Sequence, residues 1–477
     1  MRNWTCLLAA APIALFAAAA EAATLQVGRG KPYATIAQAL DAAAPGDKIV
    51  VARGTYTEAV VVSKPRIQLV GAGVLLLAPT YYGDAITIAA GAEGVTVSGF
   101  SIRAHGTGVV VSAADASITK ATFRGCGMAV QSTADGTAVT KSRVLVCSSS
   151  IRITGARALI DRNTVTHANS SDVEVTGADA VVTRNTIHGS GDDDAVWVKG
   201  DRAVVEGNTI RSIWNAAVAV IGDDARVVKN VVSIITSDNG ITVNGHRALV
   251  SGNDVSRTYD DGIHVVGDLA VIESNTVTGS GDDGIDVAGE SFTIRANRVF
   301  DCVDPSGGIH ATNGQGLAAQ TAVISDNWVR DSNGSGYQIG GVGVRVERNR
   351  AQDSGNRGFF LMGSGHQVTG NAVLGAGWHG FDAYGPNMMI EDCTVRDAAA
   401  DGFRIGATGA KVSGCTAADC GAEGLHNAAA QTTFTNCTFS GNRMDVACVQ
   451  GQGYVLTDGG GNSFHTGGVT TPPFDPY

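Results

Sequence analysis

Three side chains that can exchange protons, His264, Asp286 and His310, recur at intervals of 22 and 24 residues. Each is the third residue of a segment with the pattern Gly-apolar-x-apolar. Because side chains alternate along a β-strand, the two apolar residues face inward and the third residue faces outward. A carboxylate between two imidazoles raises the pKa of both and can fix a tautomer. The pattern therefore predicts a general acid–base centre on an outward row.

Aspartates precede two of these segments, and they offer two further kinds of chemistry. The residues are Asp260, Asp261, Asp282 and Asp283. Their carboxylate oxygens suit Ca²⁺. Alternatively, Asp261, Asp282 and Asp283 supply the acid and base of glycoside hydrolysis, beside the row of His264, Asp286 and His310. The structural alternative is that each aspartate serves an Asx turn before its glycine.

Candidate substrate-binding residues lie around and C-terminal to this row. They are Tyr259, Tyr337, Gln338, Arg357, Phe360, Trp378, His379, Asp382, Tyr384 and Arg404. The hydroxyl of Tyr259 or of Tyr337 could interact with the leaving-group oxygen. Arg357 or Arg404 could meet a carboxylate, and exposed aromatic rings stack on sugar faces. Ordinary packing within turns is the alternative role for these aromatic residues. Phe359 and Phe381 occupy the first apolar position of their Gly-apolar-x-apolar segments, so their side chains are predicted to face the core.

An asparagine ladder defines the element that must position these residues. Asn recurs at 163, 185, 208, 230, 253, 275, 297, 327, 349 and 371, mostly in steps of 22 or 23, and Cys393, Cys415 and Cys437 continue the step. Asn tolerates left-handed backbone at a corner, and stacked amides can hydrogen-bond to each other. The repeat predicts an all-β, single-stranded parallel β-helix of roughly sixteen coils.

Two insertions interrupt the repeat beside His310. The segment from Asn297 to Gly308 is two residues longer than its counterpart one coil earlier, and the segment from Gly308 to Asn327 is six residues longer. Insertions in repeat proteins often mark the binding face. The two insertions are expected to form loops on the two sides of the outward row, which predicts a groove. The alternative is that they are surface insertions with no role in binding.

The chain ends predict export and a covered core. Residues 1–22 have a positive start, a short apolar run and a small-x-small site near Ala22, typical of a cleaved signal peptide. We expect a periplasmic or extracellular protein with no membrane span. Residues 33–40 have helical apolar spacing and predict a helix capping the domain 23–466, and residues 467–477 predict a flexible tail.

Charge argues against nucleic acid as a partner, and the spacing of the cysteines allows either a disulfide or free thiols. The net charge of −11 without any basic run argues against binding to nucleic acid. Cys126 and Cys147 share one phase in neighbouring coils, within reach of a disulfide, and buried reduced thiols are the alternative. We expect a monomer.

The ladder and the Gly-apolar-x-apolar segments resemble the pectin-lyase-like superfamily of right-handed parallel β-helices. That resemblance implies an active site on the outer face of the strand that carries His264. The opening Gly54-x-Tyr56-x-Glu58 is similar to those of pectin methylesterases and NosD-type periplasmic proteins. The later Gln-Asp and Asp-Phe segments of the esterases are absent, which argues against an esterase.

Two enzyme families within the superfamily match in part. Asp261 and Asp282-Asp283 match polygalacturonases by phase, but the Gly-His-Gly and Arg-x-Lys segments are absent. The Asp-Pro-His-Glu motif of alginate C5-epimerases and related lyases is also absent, since Asp304-Pro305 continues as Ser306-Gly307.

These features lead to one functional hypothesis and two alternatives. The leading hypothesis is a secreted lyase or C5-epimerase that acts on a uronate-containing polysaccharide through proton abstraction by a histidine. The first alternative is an endo-acting glycoside hydrolase that uses the aspartates. The second is a non-catalytic, NosD-like or surface glycan-binding β-helix. Ca²⁺ is the one cofactor we expect, as an offset to the acidic groove.

Overall fold

The computed structural model describes residues 22–166, 170, 172–189, 191–303, 307–314, 322–449 and 454–465, and the backbone of 469–470. The predicted signal peptide therefore lies outside the described residues, except for Ala22. The same is true of most of the predicted tail, in which only a short strand at 469–470 is described.

The chain forms a parallel β-helix, as predicted, in which each strand pairs with its counterpart one coil away. Its first sheet, called the row sheet below, has 19 strands. The predicted count of sixteen coils was therefore too low, because the strands Val60–Val62, Ile86–Ile88 and Val469–Thr470 lie beyond the stretch over which the repeat was counted. The strands of the row sheet are Val60–Val62, Ile86–Ile88, Thr107–Val111, Met128–Ser132, Ser149–Ile153, Val173–Val175, Val196–Lys199, Val218–Ile221, Ile241–Asn244, Ile263–Val266, Ile285–Ala288, Gly307–Thr312, Ser335–Val342, Phe359–Ser364, Phe381–Tyr384, Phe403–Gly406, Glu423–Asn427, Met444–Cys448 and Val469–Thr470.

The second sheet, called the corner sheet below, has 37 strands. Through most of the chain, each coil contributes two short strands to it, one before and one after the ladder position. They are Thr24–Val27, Lys48–Val51, Gly54–Thr57, Gln68–Leu77, Thr96–Arg103, Ser117–Thr119, Thr122–Arg124, Ala138–Thr140, Arg143–Leu145, Leu159–Asp161, Thr164–Thr166, Val181–Thr183, Thr186–His188, Val204–Glu206, Thr209–Ile213, Arg226–Val228, Val231–Ile235, Leu249–Ser251, Asp254–Thr258, Ala270–Glu273, Thr276–Ser280, Phe292–Arg295, Arg298–Phe300, Val323–Ser325, Trp328–Arg330, Arg345–Glu347, Arg350–Gln352, Gln367–Thr369, Ala372–Leu374, Met389–Glu391, Thr394–Arg396, Lys411–Ser413, Thr416–Ala418, Thr432–Thr435, Thr438–Ser440, Leu456–Asp458 and Ser463–Phe464.

The asparagine ladder is present and buried inside the solenoid. Asn275, which is 1% exposed, is typical: its backbone N–H donates to Asn297 Oδ1 at 2.9 Å, and its Nδ2 donates to the same oxygen at 3.0 Å. The geometry is unchanged across the 30-residue step from Asn297 to Asn327, where the backbone contact is again 2.9 Å. The coil that contains the long insertion therefore keeps the register of its neighbours.

The prediction that asparagine itself adopts the left-handed corner was wrong. The residue before it has positive φ, as at Arg162 (55°), Arg184 (54°) and Ser274 (56°). This shift of one residue leaves the Asn side chain inside the solenoid, where it bonds to the next coil. The preceding side chain points outward and is exposed, as at Arg162, Arg184 and Ser274.

The glycine of each Gly-apolar-x-apolar segment is required by space. A Cβ at Gly262 would lie 2.2 Å from Val277 Cγ1 and 2.6 Å from the carbonyl oxygen of Gly284. The backbone here passes directly against the corner-sheet strand and the next coil. This close approach fixes the start of the strand that carries His264 and so fixes the phase of the outward row.

A column of aromatic rings fills the core beneath the C-terminal half of the row sheet. Tyr337, Phe359, Phe381 and Phe403 stack with centroid separations of 4.5, 4.7 and 5.1 Å. The inward assignment of Phe359 and Phe381 is confirmed.

At the N-terminus, a helix spans Ile36–Ala42 and buries Ile36, Ala39 and Leu40. It contacts the first strands of both sheets. The Glu58 carboxylate accepts hydrogen bonds from the backbone N–H groups of Ile36 and Ala37. The Gly54-x-Tyr56-x-Glu58 motif therefore has a structural role, because its acid caps this helix.

All eight cysteines in the described part of the chain are free thiols. Cys126 and Cys147 are adjacent, with the Cys126 N–H donating to Cys147 Sγ at 3.4 Å. Of the two predicted alternatives, the structure has the buried reduced pair.

Candidate active site on the outward row

The predicted alignment of the three central residues is confirmed by the strand register. His264 lies opposite Asp286, and Asp286 lies opposite His310. Adjacent strands place successive Cα atoms about 4.8 Å apart. Thr242 precedes this group and Gln338 follows it on the same row.

Asp286 bridges the two imidazoles with one oxygen to each. Its Oδ2 lies 2.9 Å from His264 Nδ1, and its Oδ1 lies 3.2 Å from His310 Nδ1. A second carboxylate approaches each ring: Asp261 Oδ2 at 3.2 Å from His264 Nδ1, and Asp283 Oδ2 at 3.3 Å from His310 Nδ1. Each Nδ1 is thus held between two carboxylates.

This arrangement determines which part of each ring a substrate can reach. The side chains of His264 and His310 are 29% and 28% exposed, whereas Asp261 and Asp283 lie beneath them at 11% and 6%. Because the Nδ1 edge faces the carboxylates, the Nε2 edge is the part of the ring left for a bound molecule. His264 Nδ1 makes close ion pairs without a directed hydrogen bond to either oxygen.

The carboxylates favour the protonated imidazoles. Asp261 and Asp286 raise the pKa of His264 to about 10, and Asp283 and Asp286 raise the pKa of His310 to about 10. Burial by itself would raise the pKa of Asp286, but the two histidines hold it well below its ordinary value. At neutral pH, the ligand-free centre therefore has an ionised Asp286 between two imidazolium groups.

The two deeper aspartates have both structural and electrostatic roles. Asp261 Oδ1 accepts a hydrogen bond at 3.0 Å from the backbone N–H of Asp283, which links neighbouring coils. Burial is the main cause that raises the pKa of Asp261, and it raises the pKa of Asp283 to about 6. This bond joins two coils and is not the Asx turn predicted before the glycine, and both aspartates also contact the histidines.

Three of the four candidate calcium ligands converge. Asp260, Asp261 and Asp282 each place one oxygen within 4.8 Å of the other two. Asp283 turns instead toward His310. Asp282 Oδ1 is buried without a hydrogen-bond partner among the described residues. The donor set is all oxygen, which fits Ca²⁺.

The substrate-binding assignment of Tyr337 was wrong. Its side chain is fully buried, and its hydroxyl donates to the carbonyl oxygens of Asn327 and Arg350 at 2.9 and 3.2 Å. Burial raises the pKa of this phenol well above its ordinary value. Tyr337 occupies the first apolar position after Gly336, so its phase points it into the core. Tyr259 remains exposed in the turn before Asp260, and Gln338 is half-buried next to His310.

Arg357, Asp382 and Arg404 form an ion-pair group that we call the arginine cluster. Asp382 is fully buried; its Oδ2 lies 2.5 Å from Arg357 Nε, and its Oδ1 lies 3.7 Å from Arg404 Nη1. The sequence-based hypothesis gave both arginines to a substrate carboxylate. In the structure, this internal aspartate already holds Arg357, whereas Arg404 is 30% exposed.

The predicted aromatic residues Phe360, Trp378 and Tyr384 surround the arginine cluster. The Arg357 guanidinium lies 4.4 Å from the ring centroids of both Phe360 and Trp378. Arg404 Nη1 hydrogen-bonds to the Tyr384 hydroxyl. Trp378 remains 41% exposed, so of these three rings it offers the largest free fraction for stacking on a sugar.

His379 is buried and does not reach the surface of the row. Its Nδ1 lies 3.2 Å from Asp401 Oδ2, and Glu423 and His426 of the next coil converge on Asp401. The sequence-based prediction missed Asp401, Glu423 and His426 as a group. The signal was present, because Asp401-Gly402 and Glu423-Gly424 have the phase of Asp261-Gly262, and His426 has the phase of His264.

The predicted groove depends on residues 304–306 and 315–321, which lie outside the described residues. None of the helices in the described part of the chain combines the length and the apolar character that a membrane crossing needs.

Comparison with solved structures gives distant likenesses. The chain is similar to the catalytic unit of a thermostable GH87 alpha-1,3-glucanase from Streptomyces thermodiastaticus strain HF3-3, with 13% identity, coverage of 90% of this chain and 66% of that chain, and a TM-score of 0.30. An alginate lyase from Paenibacillus sp. str. FPU-7 has 16% identity, 61% and 98% coverage and a TM-score of 0.34. DFA-IIIase from Arthrobacter chlorophenolicus A6 in complex with GF2 has 14% identity, 65% and 85% coverage and a TM-score of 0.28.

At these scores, the likenesses do not bear on the reaction. The chain spans just under two thirds of the length of the glucanase unit. No curated protein matches the sequence. The model of the family described as "Right handed beta helix region" matches residues 129–268, 239–385 and 316–467, which together cover more than half of the chain. The chain therefore belongs to the right-handed β-helix family.

Proposed function

We propose that this protein is a secreted enzyme that processes a uronate-containing polysaccharide by proton transfer at C5, as a lyase or a C5-epimerase. The observation that carries the proposal is the pair of imidazoles that flank Asp286, each with Nδ1 close to two carboxylates and with 29% and 28% of the side chain exposed. A carboxylate at Nδ1 orients the ring and stabilises its charged form, as general acid–base catalysis requires.

The two imidazoles would divide the work between them. One, after losing its proton, takes the C5 proton; the other, still protonated, gives a proton to the O4 leaving oxygen while the C4–O4 bond breaks and a C4–C5 double bond forms. In epimerisation, the C4–O4 bond stays intact and a proton returns to C5 from the opposite face. A protonated imidazole also offsets the acidic surroundings that would otherwise repel a uronate carboxylate.

Protonation sets the condition under which the enzyme works. With the pKa of both rings at about 10, neither is a base in the free enzyme at neutral pH. We therefore expect the reaction to be faster in alkaline solution. One imidazolium must lose its proton before it can act as a base. A substrate carboxylate that replaces Asp286 beside one ring does not change this, because a carboxylate also favours the imidazolium form.

Glycoside hydrolysis is the second candidate, and one specific observation favours it. Asp283 and Asp286 lie three residues apart on one coil, and their pKa values are shifted in opposite directions, that of Asp283 to about 6 and that of Asp286 well below its ordinary value. Opposite shifts in paired carboxylates are the usual arrangement of an acid and a base. Asp283 is only 6% exposed, however, and that is why proton transfer by the imidazoles is preferred.

Calcium would bind through Asp260, Asp261 and Asp282. When bound, the ion would supply positive charge beside the row and thereby help an anionic chain to approach. We expect added Ca²⁺ to raise the melting temperature of the wild type and to have a smaller effect on Asp282→Asn. An equal rise in both proteins would contradict this site.

The proposal is tested by incubating the protein with a panel of uronate-containing polysaccharides. Ultraviolet absorbance reports unsaturated products, a reducing-end assay reports hydrolysis, and proton NMR reports epimerisation without cleavage. Either of the first and third signals supports the proposal, provided that His264→Gln and His310→Gln abolish it and His246→Gln does not. His246 is a matched control because it is a half-exposed histidine 3.4 Å from Asp268, away from the row.

Two outcomes would overturn the proposal. New reducing ends without unsaturated products would favour hydrolysis, most of all if Asp283→Asn abolished them. No change in any polysaccharide, across neutral and alkaline pH, would leave the non-catalytic glycan-binding alternative.

A further inference from the structure

A second group of titratable side chains lies on the same face, far from the proposed reaction centre. Asp401, Glu423 and His426 come from two adjacent coils of the row sheet, and we call them the distal cluster. His426 follows His310 by five strands through Gln338, Phe360, Asp382 and Arg404. Five strand spacings separate the two histidines by about 24 Å.

The three side chains of the distal cluster present ligand atoms to one point. His426 Nδ1 lies 3.5 Å from Glu423 Oε2 and 3.8 Å from Asp401 Oδ2, and the three ligand atoms lie within 4.8 Å of one another. Asp401 Oδ1 accepts a hydrogen bond from the backbone N–H of Glu423 at 3.2 Å. This bond holds the carboxylate so that its second oxygen faces the cluster.

The carboxylates lack a permanent cationic partner. In the described part of the chain, neither Asp401 nor Glu423 has a lysine or arginine nitrogen within 4.0 Å; their ion-pair contacts are to histidines. Arg404, on the intervening strand, pairs with Asp382 instead. Two carboxylates in one cluster repel each other unless a proton or a cation intervenes.

His379 adds a second, independent observation beside the cluster. Its Nδ1 accepts a hydrogen bond from the backbone N–H of Asp401 at 3.2 Å and lies 3.2 Å from Asp401 Oδ2, and both side chains are 6% exposed. Its other nitrogen, Nε2, is buried without a hydrogen-bond partner among the described residues. His379 therefore orients the Asp401 carboxylate from the buried side of the cluster.

We propose that Asp401, Glu423 and His426 bind a borderline divalent metal ion of the Zn²⁺ type, with His379 as a residue that positions Asp401. Bonds of about 2.0–2.2 Å at a tetrahedral ion place neighbouring ligand atoms about 3.3–3.5 Å apart, close to the separations found here. One imidazole nitrogen with two carboxylate oxygens favours Zn²⁺ over Ca²⁺, which prefers oxygen ligands throughout. Glu423 and His426 are 21% and 27% exposed, which leaves room for water on the ion.

The test uses the full chain, stripped of metal by a chelator and titrated with ZnCl₂ and with CaCl₂ by isothermal calorimetry. We expect one Zn²⁺ to bind, Ca²⁺ to bind there at least 10-fold more weakly, and both Glu423→Gln and His426→Gln to weaken Zn²⁺ binding at least 10-fold. These two variants are preferred to Asp401→Asn, because Asp401 also holds backbone of the neighbouring coil.

Two variants distinguish the distal cluster from other groups that could take up Zn²⁺. His264→Gln removes a nitrogen from the reaction centre, where Asp261, His264 and Asp286 also have the spacing of metal ligands, and Cys415→Ala removes one of the buried free thiols Cys393, Cys415 and Cys437. Zn²⁺ binding that persists in both variants and is lost in His426→Gln supports the proposal. No binding of Zn²⁺, or binding that is lost in either variant and kept in His426→Gln, would overturn it.

Discussion

The reaction centre and the distal cluster have the same local plan but differ in charge. In both, an acid directly before the glycine lies three residues before an outward histidine: Asp261 before His264, and Glu423 before His426. The difference lies in the neighbouring strand. His264 has the carboxylate of Asp286 on the next coil, whereas His426 has the cationic Arg404 on the previous one.

This comparison shows that neighbours decide the chemistry of a repeated position. Asp286 stabilises two imidazolium groups, so the centre neutralises much of its own charge with protons. The pKa of His426 is also raised, chiefly by Glu423, but Arg404 opposes the shift. The distal cluster, in which one imidazole faces two carboxylates, is the one to which we assign an external cation.

The largest expected effect comes from removing the imidazoles of the reaction centre. His264→Gln and His310→Gln should each lower kcat on a responsive polysaccharide by about 10²- to 10⁴-fold, because each removes a group that transfers a proton. Steady-state rates at one alkaline pH measure this loss, with His246→Gln as the control. A loss below 10-fold in both variants would contradict the assignment.

Breaking the arginine cluster between the two histidine groups should produce the largest loss of stability. Asp382→Ala leaves Arg357 without its partner at a site where Arg357 is 16% exposed. Removing one member of a buried ion pair costs about 3–5 kcal/mol, and the partial exposure of Arg357 favours the lower end. Urea unfolding measures the change, with Asp326→Ala as an exposed comparison, since its partner Arg348 is 58% exposed.

The pH dependence of the rate should separate a histidine base from a carboxylate. If a histidine of the centre is the base, kcat/KM rises with pH toward about 10. Asp286→Asn removes the negative charge that lies beside both rings. The rising part of the kcat/KM profile should therefore move to lower pH. A rate controlled instead by a group with a pKa of about 6 would indicate Asp283.

The last expected effect is a change of stability with pH. The pKa values of His264 and His310 are higher in the folded protein than the ordinary value of 6.5. Their stabilising contribution is therefore complete below pH 6.5 and decreases as the pH rises through about 10. The free energy of unfolding should fall across this range in the wild type and fall less in Asp286→Asn. Equal slopes in the two proteins would show that these groups are not coupled.

The order of residues alone determines the solenoid and the vertical alignment of His264, Asp286 and His310. A repeat of 22 residues permits one stacking, and alternation along each strand determines which side chains face outward. The same rule places Tyr337 in the core, and the error there came from weighing the chemistry of its hydroxyl above its phase.

Only the tertiary structure decides how the outward side chains pair across coils. A long side chain can reach the coil before it, the coil after it or its own turn, and the repeat does not specify which. Hence Arg357 pairs with Asp382, and Asp283 contacts His310 instead of the three candidate calcium ligands. Asp401 likewise lies close to Glu423 and His426 of the next coil. These choices depend on burial and on the sum of local charges, which are properties of the folded surface and have no counterpart in the spacing of residues.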